Sequence, residues 1–250
     1  MNDIHYETRY VAFLDLLGFK DMVDQSAKKQ SILNKINKVL NYTYEVQHNN
    51  YDGFMSLVEF GKQVTTFSDS IVISYSTSTP GGGFHILMDL IYICIDLLDN
   101  GILVRGGVTV GQLIHDEQKC FGPAMNEAYT MESDEAIYPR ILINKNVLDF
   151  DLENPGLANT VEQENKYLLG LIKTVPGNKN LFILDYLKQY NELDDIYAYL
   201  DFISNTRDFI IKNLSKFKEN ERVYKKYEWL KRYYNETIQS FHIDLGEFLI

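Results

Sequence analysis

The stretch YVAFLDLLGFKDMV, Tyr10–Val23, decides how the rest of the chain is read. Residues 9–17 form an apolar run of the length and type of a core strand. Inside that run sits Asp15. A carboxylate taken from water without a partner is costly, so something beside it must make the charge welcome. Gly18 follows three residues later. A glycine between a strand and a helix lets exposed backbone N–H groups come close to an anion. DLLGF therefore offers an oxygen ligand and an anion cradle within a few residues. Each residue also has an ordinary reading. Asp15 can cap the next helix or pair with Arg9 or Arg105, and Gly18 can be a plain turn glycine.

A second acid answers the first. The runs LVEFGKQVTTF and IVISYS, separated by SDS, read as a hairpin whose polar tip carries Asp69. If the first strand lies beside that hairpin, Asp15 and Asp69 converge. Converging carboxylates share a proton or hold a cation. Mg²⁺ and Mn²⁺ prefer oxygen ligands, and Mg²⁺ usually takes only one or two protein carboxylates plus substrate phosphates. Asp69 taken alone also suits an ordinary turn.

Residues 28–48 carry Ile32, Leu33, Ile36, Val39 and Leu40 at helical spacing. TSTPGGG reads as a loop, and residues 84–99 as an apolar helix stopped by Asn100-Gly101. ILVRGGVTVGQLI alternates like strand, bend, strand. Pro123 opens a helix to about Ser133, and RILI is a further strand. The order β-α-β-β-α-β-β-α-β predicts an α+β fold: a mixed or antiparallel sheet with helices on one face, near the ferredoxin-like pattern. Beyond about residue 185 glycine is absent until Gly246. Tyr224, Tyr227, Leu230, Tyr234, Ile238 and Phe241 follow helical spacing there. The chain thus divides into residues 1–184 and a helical C-terminal extension, 185–250, packed on the sheet with its charges solvated. A Tyr/Lys-rich helix can also stack single-stranded nucleic acid, but the interleaved acids oppose that.

The chain has 250 residues, 45% hydrophobic and 24% charged, enough for a sizeable core. A net charge of -11 repels a phosphate backbone, which argues against nucleic-acid coating. It leaves room for a single nucleotide held through metal ions. Cys94 and Cys120, the only cysteines, have neither disulfide-scaffold nor zinc-site spacing. The histidines are scattered, with no ligand pair. No signal peptide precedes the first strand and no apolar run is long enough to span a bilayer, so the expected compartment is the cytoplasm.

Four blocks resemble the class III nucleotide cyclases, in family order over residues 9–143. FLDLLGF resembles their first metal-binding strand and phosphate loop. TTFSDSIVIS resembles the hairpin with the second metal aspartate. LVRGGVTVGQLI resembles their Arg-x-Gly strand pair, and FGPAMNEAYTMES their catalytic helix. The details RGGVTVG, AYTMES, IYPRILI and KKYEWLKRYYN resemble the pyrimidine cyclase branch of bacterial anti-phage (Pycsar) systems. That branch makes cyclic UMP or cyclic CMP, which switches on a separate effector.

The resemblance implies roles. Asp15 and Asp69, helped by the Leu16 carbonyl, would ligate two divalent ions, Mn²⁺ or Mg²⁺. The Gly18 and Phe19 backbone would take the terminal phosphates, and Asn126 would orient the ribose. Where the family places a transition-state arginine, one turn after that asparagine, this chain has Thr130. Arg105 and Arg140 are candidate replacements, or else structural pairs for acids. Lys179 is a candidate for the triphosphate. The base-reading positions hold Thr65 and Lys119. An ammonium only donates, which suits uracil O4 (or guanine O6) better than an exocyclic amine. Thr65 can donate or accept, and Lys119 also reads as a solvated loop lysine. In the family the metal half and the asparagine half meet across a subunit interface, which implies a head-to-tail homodimer acting on a nucleoside triphosphate. Two rivals follow from the same residues. One is a cyclase-like binding module without catalysis, favoured by Thr130. The other is an adenylate cyclase, disfavoured by Thr65 and Lys119.

Overall fold

The apolar run of the opening stretch becomes β1 (Glu7–Leu17), and everything else is arranged around it. The computed structural model describes residues 4–48, 61–193, 195–241 and 246–250. The LVEF part of the predicted hairpin lies outside those residues, as does His242. β1 leads into a short helix, α1 (Phe19–Ser26), and then α2 (Gln30–His48). The hairpin is β2 (Gln63–Phe67) and β3 (Ser70–Ser76). After α3 (Gly82–Asp99) come β4 (Leu103–His115), a two-residue β5 (Cys120–Phe121) and α4 (Pro123–Thr130). A single π turn, Met131–Glu135, leads to β6 (Ile141–Asn144). α5 (Lys145–Glu153), α6 (Val161–Gly170), β7 (Ile172–Val175) and β8 (Asn178–Leu184) complete the sheet region. α7 (Ile196–Lys216) and α8 (Glu221–Gln239) follow.

The fold is α+β. The strand order is β2-β3-β1-β4-β6-β8-β7, with β5 folded onto β4. Neighbours are antiparallel except β4 and β6, which run parallel. The sheet is therefore mixed, with β1 between β3 and β4.

Strand alternation sends successive side chains to opposite faces. Tyr10, Ala12, Leu14 and Leu16 enter the main core with Ile71, Ile73, Val108 and the apolar face of α3. Val11 and Phe13 point the other way and meet Val72, Leu113, Ala124 and Ala128. Helices thus lie on both faces, not one, because α4 seats its small residues on the second face. Asp15 is on that second face, in step with Val11 and Phe13. The main core also takes in Tyr199, Phe202 and Ile203 of α7 and Leu230, Tyr234 and Ile238 of α8.

β4 departs from the expected strand, bend, strand: it is one unbroken strand of 13 residues. Gly106 and Gly107 look like a bend in the sequence, but their purpose is close approach. A side chain at Gly107 would meet Met131 Cβ at 2.5 Å and the Ala128 carbonyl at 2.6 Å. The expected helix to Ser133 ends at Thr130 and continues as the π turn. Sequence spacing also missed α1, a helix of only 8 residues whose Phe19 is buried and whose Met22 packs against the main core.

One buried acidic pair marks the start of α3. Asp151, fully buried, accepts a hydrogen bond from Gly83 N at 2.7 Å. Glu164, also buried, accepts from Asn159 Nδ2 at 2.6 Å. Asp151 Oδ2 has no donor unless a proton is held between it and Glu164. Burial first, then Glu164, raises the Asp151 pKa, against the pull of the Gly83 N–H. The folded pair keeps a proton that unfolded carboxyls release above about pH 4, so stability falls as pH rises from there through the raised value. Asp151→Asn keeps the acceptor for Gly83 and removes the titration. Its thermal midpoint is expected to exceed that of the parent by about 5 °C at pH 8, with the gap closing towards pH 5. Melting curves across that range check it.

No helix among the described residues is long and apolar enough to cross a membrane.

Candidate functional site

Three neighbouring strand ends gather the charged groups. In the sheet register Asp15 lies between Ser70 on β3 and Arg105 on β4. Leu16 N donates to the Asp69 carbonyl at 2.9 Å, which ties the end of β1 to the hairpin tip. Asp15 and Asp69, 54 positions apart in the chain, thus sit at the same end of the sheet. The turn that presents Asp69 is tight, and Ser68 in it has φ 56. A non-glycine residue in the left-handed region carries local strain, a pattern common at functional sites.

Arg105 is the local counter-ion. Its Nε donates to Asp15 Oδ2 at 3.1 Å, and Glu132 Oε1 lies 2.6 Å from the same nitrogen. One N–H serves one acceptor, so Glu132 is paired by charge but has no aligned donor. Glu132 is buried, and burial pushes its pKa up to about 7. Arg105 opposes the rise, while Asp15 and Asp69 add to it. Both aspartates therefore act on one and the same carboxyl, a sign of their proximity. Sequence reading passed over Glu132, although it lay inside the quoted block AYTMES.

The donor set suits hard divalent cations. Asp15 and Asp69 are partly exposed oxygen ligands. No side-chain hydrogen bond or ion pair engages the Asp69 carboxylate among the described residues. Among those residues no three His, Cys, Asp or Glu side chains form a ready-made metal site. Ions held here would draw remaining ligands from a phosphate substrate, which is the usual habit of Mg²⁺. A cation arriving at Asp15 would also relieve the crowding of acids around Glu132.

Gly18 caps α1 in the left-handed region, with φ 80 and no side-chain hydrogen bond closing the cap. A Cβ there would meet nothing within 4 Å, so the approach to the first-turn amides is open. The Phe19 side chain anchors the turn by burial in the main core. The Leu16 side chain is likewise buried.

The base-reading positions lie on the second face. Thr65 Oγ1 is 3.0 Å from His115 Nε2, and His115 Nδ1 is 2.8 Å from Ser74 Oγ. Arg9 Nε donates to that same Ser74 Oγ at 2.9 Å. Arginine only donates, so the buried serine hydroxyl has its hydrogen free to give, and the imidazole is its available acceptor. The proton of the neutral ring then sits on Nε2 and is donated to Thr65. Burial, then Arg9, lowers the His115 pKa to about 4, which keeps the ring neutral. The Thr65 hydroxyl is left with its own hydrogen to donate. His115 was one of the scattered histidines of the sequence; only the sheet, which sets β1 between β3 and β4, gives it this place. Lys119 is at the tip of the same β4–β5 hairpin, where it pairs with Asp116 at 3.6 Å; among the described residues no hydrogen bond joins it to Thr65.

Among the described residues no hydrogen bond or ion pair joins the remaining candidates to the two aspartates. Asn126 and Thr130 are exposed on α4, whose Ala124 and Ala128 face the sheet. Thr130 borders a cavity of about 420 Å³ together with Asn178 and Asn180 of β8. Lys179, between those asparagines, is exposed. Arg140 Nη2 donates to the Glu135 carbonyl at 2.9 Å, and the guanidinium lies over the Tyr138 ring. Arg140 and Arg105 are thus both engaged within the chain.

No family model matches the chain, and no curated protein does. Solved structures give distant likenesses. One is the monomeric guanylyl cyclase domain of a RhoGC fusion protein from the aquatic fungus Blastocladiella emersonii. It is 16% identical over 72% of this chain and 96% of that one, with a TM-score of 0.47. Another is the adenylyl cyclase CyaB from P. aeruginosa, 13% identical over 72% of this chain and 94% of that one, TM-score 0.40. A third is a class III adenylyl cyclase-like ATP-binding protein from Pseudomonas aeruginosa, 11% identical over 94% of this chain and 60% of that one, TM-score 0.39.

Proposed function

We propose that this chain is a nucleotide cyclase that converts a pyrimidine nucleoside triphosphate, UTP in preference to CTP, to its 3′,5′-cyclic monophosphate and pyrophosphate. One observation supports the reading: Asp15 and Asp69 lie at the same end of the sheet as Arg105 and Glu132, near the Gly18 turn. Residues 1–184 form the catalytic unit in this reading, and 185–250 the helical extension.

Asp15 and Asp69, with the Leu16 carbonyl, would hold two divalent ions. When bound, such ions lower the pKa of a ribose 3′-hydroxyl and offset the charge of a departing pyrophosphate. Arg105 holds the Asp15 side chain in place through its Nε hydrogen bond until a cation binds. The Gly18 and Phe19 amides take phosphate oxygens. Asn126, exposed on α4, orients the ribose. A second copy supplies it in this reading, in a head-to-tail homodimer with two equivalent sites. Lys179 belongs to the Asn126 half and reaches the triphosphate from there.

The Thr65 hydroxyl, polarised by His115, and the Lys119 ammonium both present donors to the base. Two donors suit carbonyl O4 of uracil and not the amine of cytosine. Thr65→Val keeps the shape and removes the donor. It is expected to cut the preference for UTP over CTP about tenfold, read as the ratio of kcat/KM values. A role in anti-phage defence through a cyclic-nucleotide effector is supported by the sequence resemblance.

The decisive experiment incubates the protein with each nucleoside triphosphate and Mn²⁺ and looks for cyclic monophosphate with stoichiometric pyrophosphate. Cyclic UMP is expected. Cyclic AMP would replace this reading with an adenylate cyclase, and no product from any nucleotide would leave a binding module, the reading that Thr130 favours.

A further inference from the structure

The C-terminal helices have no part in the chemistry described so far, yet α8 brings positive charge to its edge. A cavity of about 440 Å³ opens beside the carboxylate cluster. It is bordered by Arg105, by Ser133, Ile137 and Tyr138 of the segment that follows α4, and by Arg222 and Lys226 among the residues of α8. The helix is held in register there. Trp229 stacks on Tyr138 with ring centroids 5.9 Å apart and planes 7° from parallel. Leu230, one residue on, is fully buried in the main core.

The charges on this stretch of α8 are not balanced. Lys225 pairs with Glu221 at 2.6 Å. Arg222 and Lys226, also one turn apart, are like charges, an arrangement that mildly destabilises a helix. Neither forms an ion pair among the described residues. Lys226 is half-buried, and its ammonium is disfavoured by that burial and by Arg105 and Arg222, with Asp15 and Glu132 pulling the other way. Lys226 therefore lies within the electrostatic field of the carboxylate cluster. In a chain of net charge -11, unpaired cations converging on one cavity are a local inversion of sign that an anion would relieve.

We infer that α8 is a phosphate-binding element: Arg222 and Lys226 receive the polyphosphate chain of the substrate in the cavity beside Asp15 and Arg105, within the same chain that holds the metal ions. This rests on the reading of the carboxylate cluster as a nucleoside triphosphate site. Charge balance favours it. Two divalent ions, two aspartates and an ionised triphosphate together remain net negative, and the two α8 cations offset the remainder. Arginine contributes a fork matched to phosphate and lysine a point charge. The same cations compensate for the neutral Thr130 on α4.

The test uses inorganic tripolyphosphate, titrated calorimetrically into the full chain in metal-free buffer, alongside steady-state kinetics with UTP and Mn²⁺. The double variant Arg222→Gln/Lys226→Gln is compared with a charge-matched control, Lys166→Gln/Lys218→Gln, at exposed positions away from the cavity. The α8 variant is expected to lose at least tenfold in tripolyphosphate affinity and to raise KM for UTP by a similar factor, with an unchanged thermal midpoint. The control is expected to change either by less than twofold. Tripolyphosphate binding by the parent that is absent, or equal in both variants, overturns the inference, and cyclic product formed with an unaltered KM leaves the cyclase reading standing without it. Binding that depends on α8 in a parent that cyclises no nucleotide upholds the anion site and removes the cyclase reading.

Discussion

Asp69→Ala is expected to lower cyclic nucleotide formation at least ~10³-fold while leaving the protein as stable as before. The loss follows from the role of the carboxylate. Charge stabilisation by a bound divalent ion is worth several kcal/mol, and about 4 kcal/mol corresponds to roughly three decades in rate. The retained stability follows from the surroundings. The Asp69 side chain is partly exposed, and among the described residues nothing hydrogen-bonds it. Its charge also helps to push the Glu132 pKa up to about 7. Removing it relieves a buried acid, so the thermal midpoint at pH 8 is expected to hold or rise slightly. The backbone tie from Leu16 N to residue 69 survives, since it uses the main-chain carbonyl. A variant that unfolds, or one that still turns over at the parental rate, would remove Asp69 from the catalytic role.

Gly107→Ala is expected to have the opposite signature, a loss of stability. The added methyl would press on Met131 Cβ at 2.5 Å and on the Ala128 carbonyl at 2.6 Å. Neither is the free end of a flexible side chain, so α4 must lift from the sheet. Overpacking of a tight contact costs typically 1–3 kcal/mol, and here the upper end is expected, about 3 kcal/mol or roughly 10 °C in thermal midpoint. The π turn that carries Glu132 follows Met131 directly. Activity is therefore expected to fall with the fold, in proportion to the unfolded fraction. Denaturant melts and rate measurements on the same samples separate this from a direct catalytic effect. A Gly107→Ala protein as stable as its parent would show that α4 does not rest on that glycine.

Much of this arrangement was legible in the chain. β1, the hairpin around SDS and the stop of α3 at Asn100-Gly101 are local events, set by apolar runs, turn residues and a left-handed glycine. The pairing of Asp15 with Arg105 was among the readings open in the sequence, beside a helix cap, a pair with Arg9 and a cation site. The double glycine of β4 was misread because a bend and a close approach call for the same residue. α1 escaped because its 8 residues are too few for helical spacing to stand out.

The sequence by itself determined which carboxylates stand at strand ends and which segments are strand or helix, because those depend on neighbours in the chain. Only the tertiary structure decided that Glu132 joins Asp15 and Asp69, that Ser74 and Arg9 orient His115 against Thr65, and that α8 turns Arg222 and Lys226 towards the same cavity. Those contacts join residues far apart in the chain, and no local spacing encodes them. They exist because one apolar core orders the sheet and the C-terminal helices together, and the charged groups are carried into place by the burial of their neighbours.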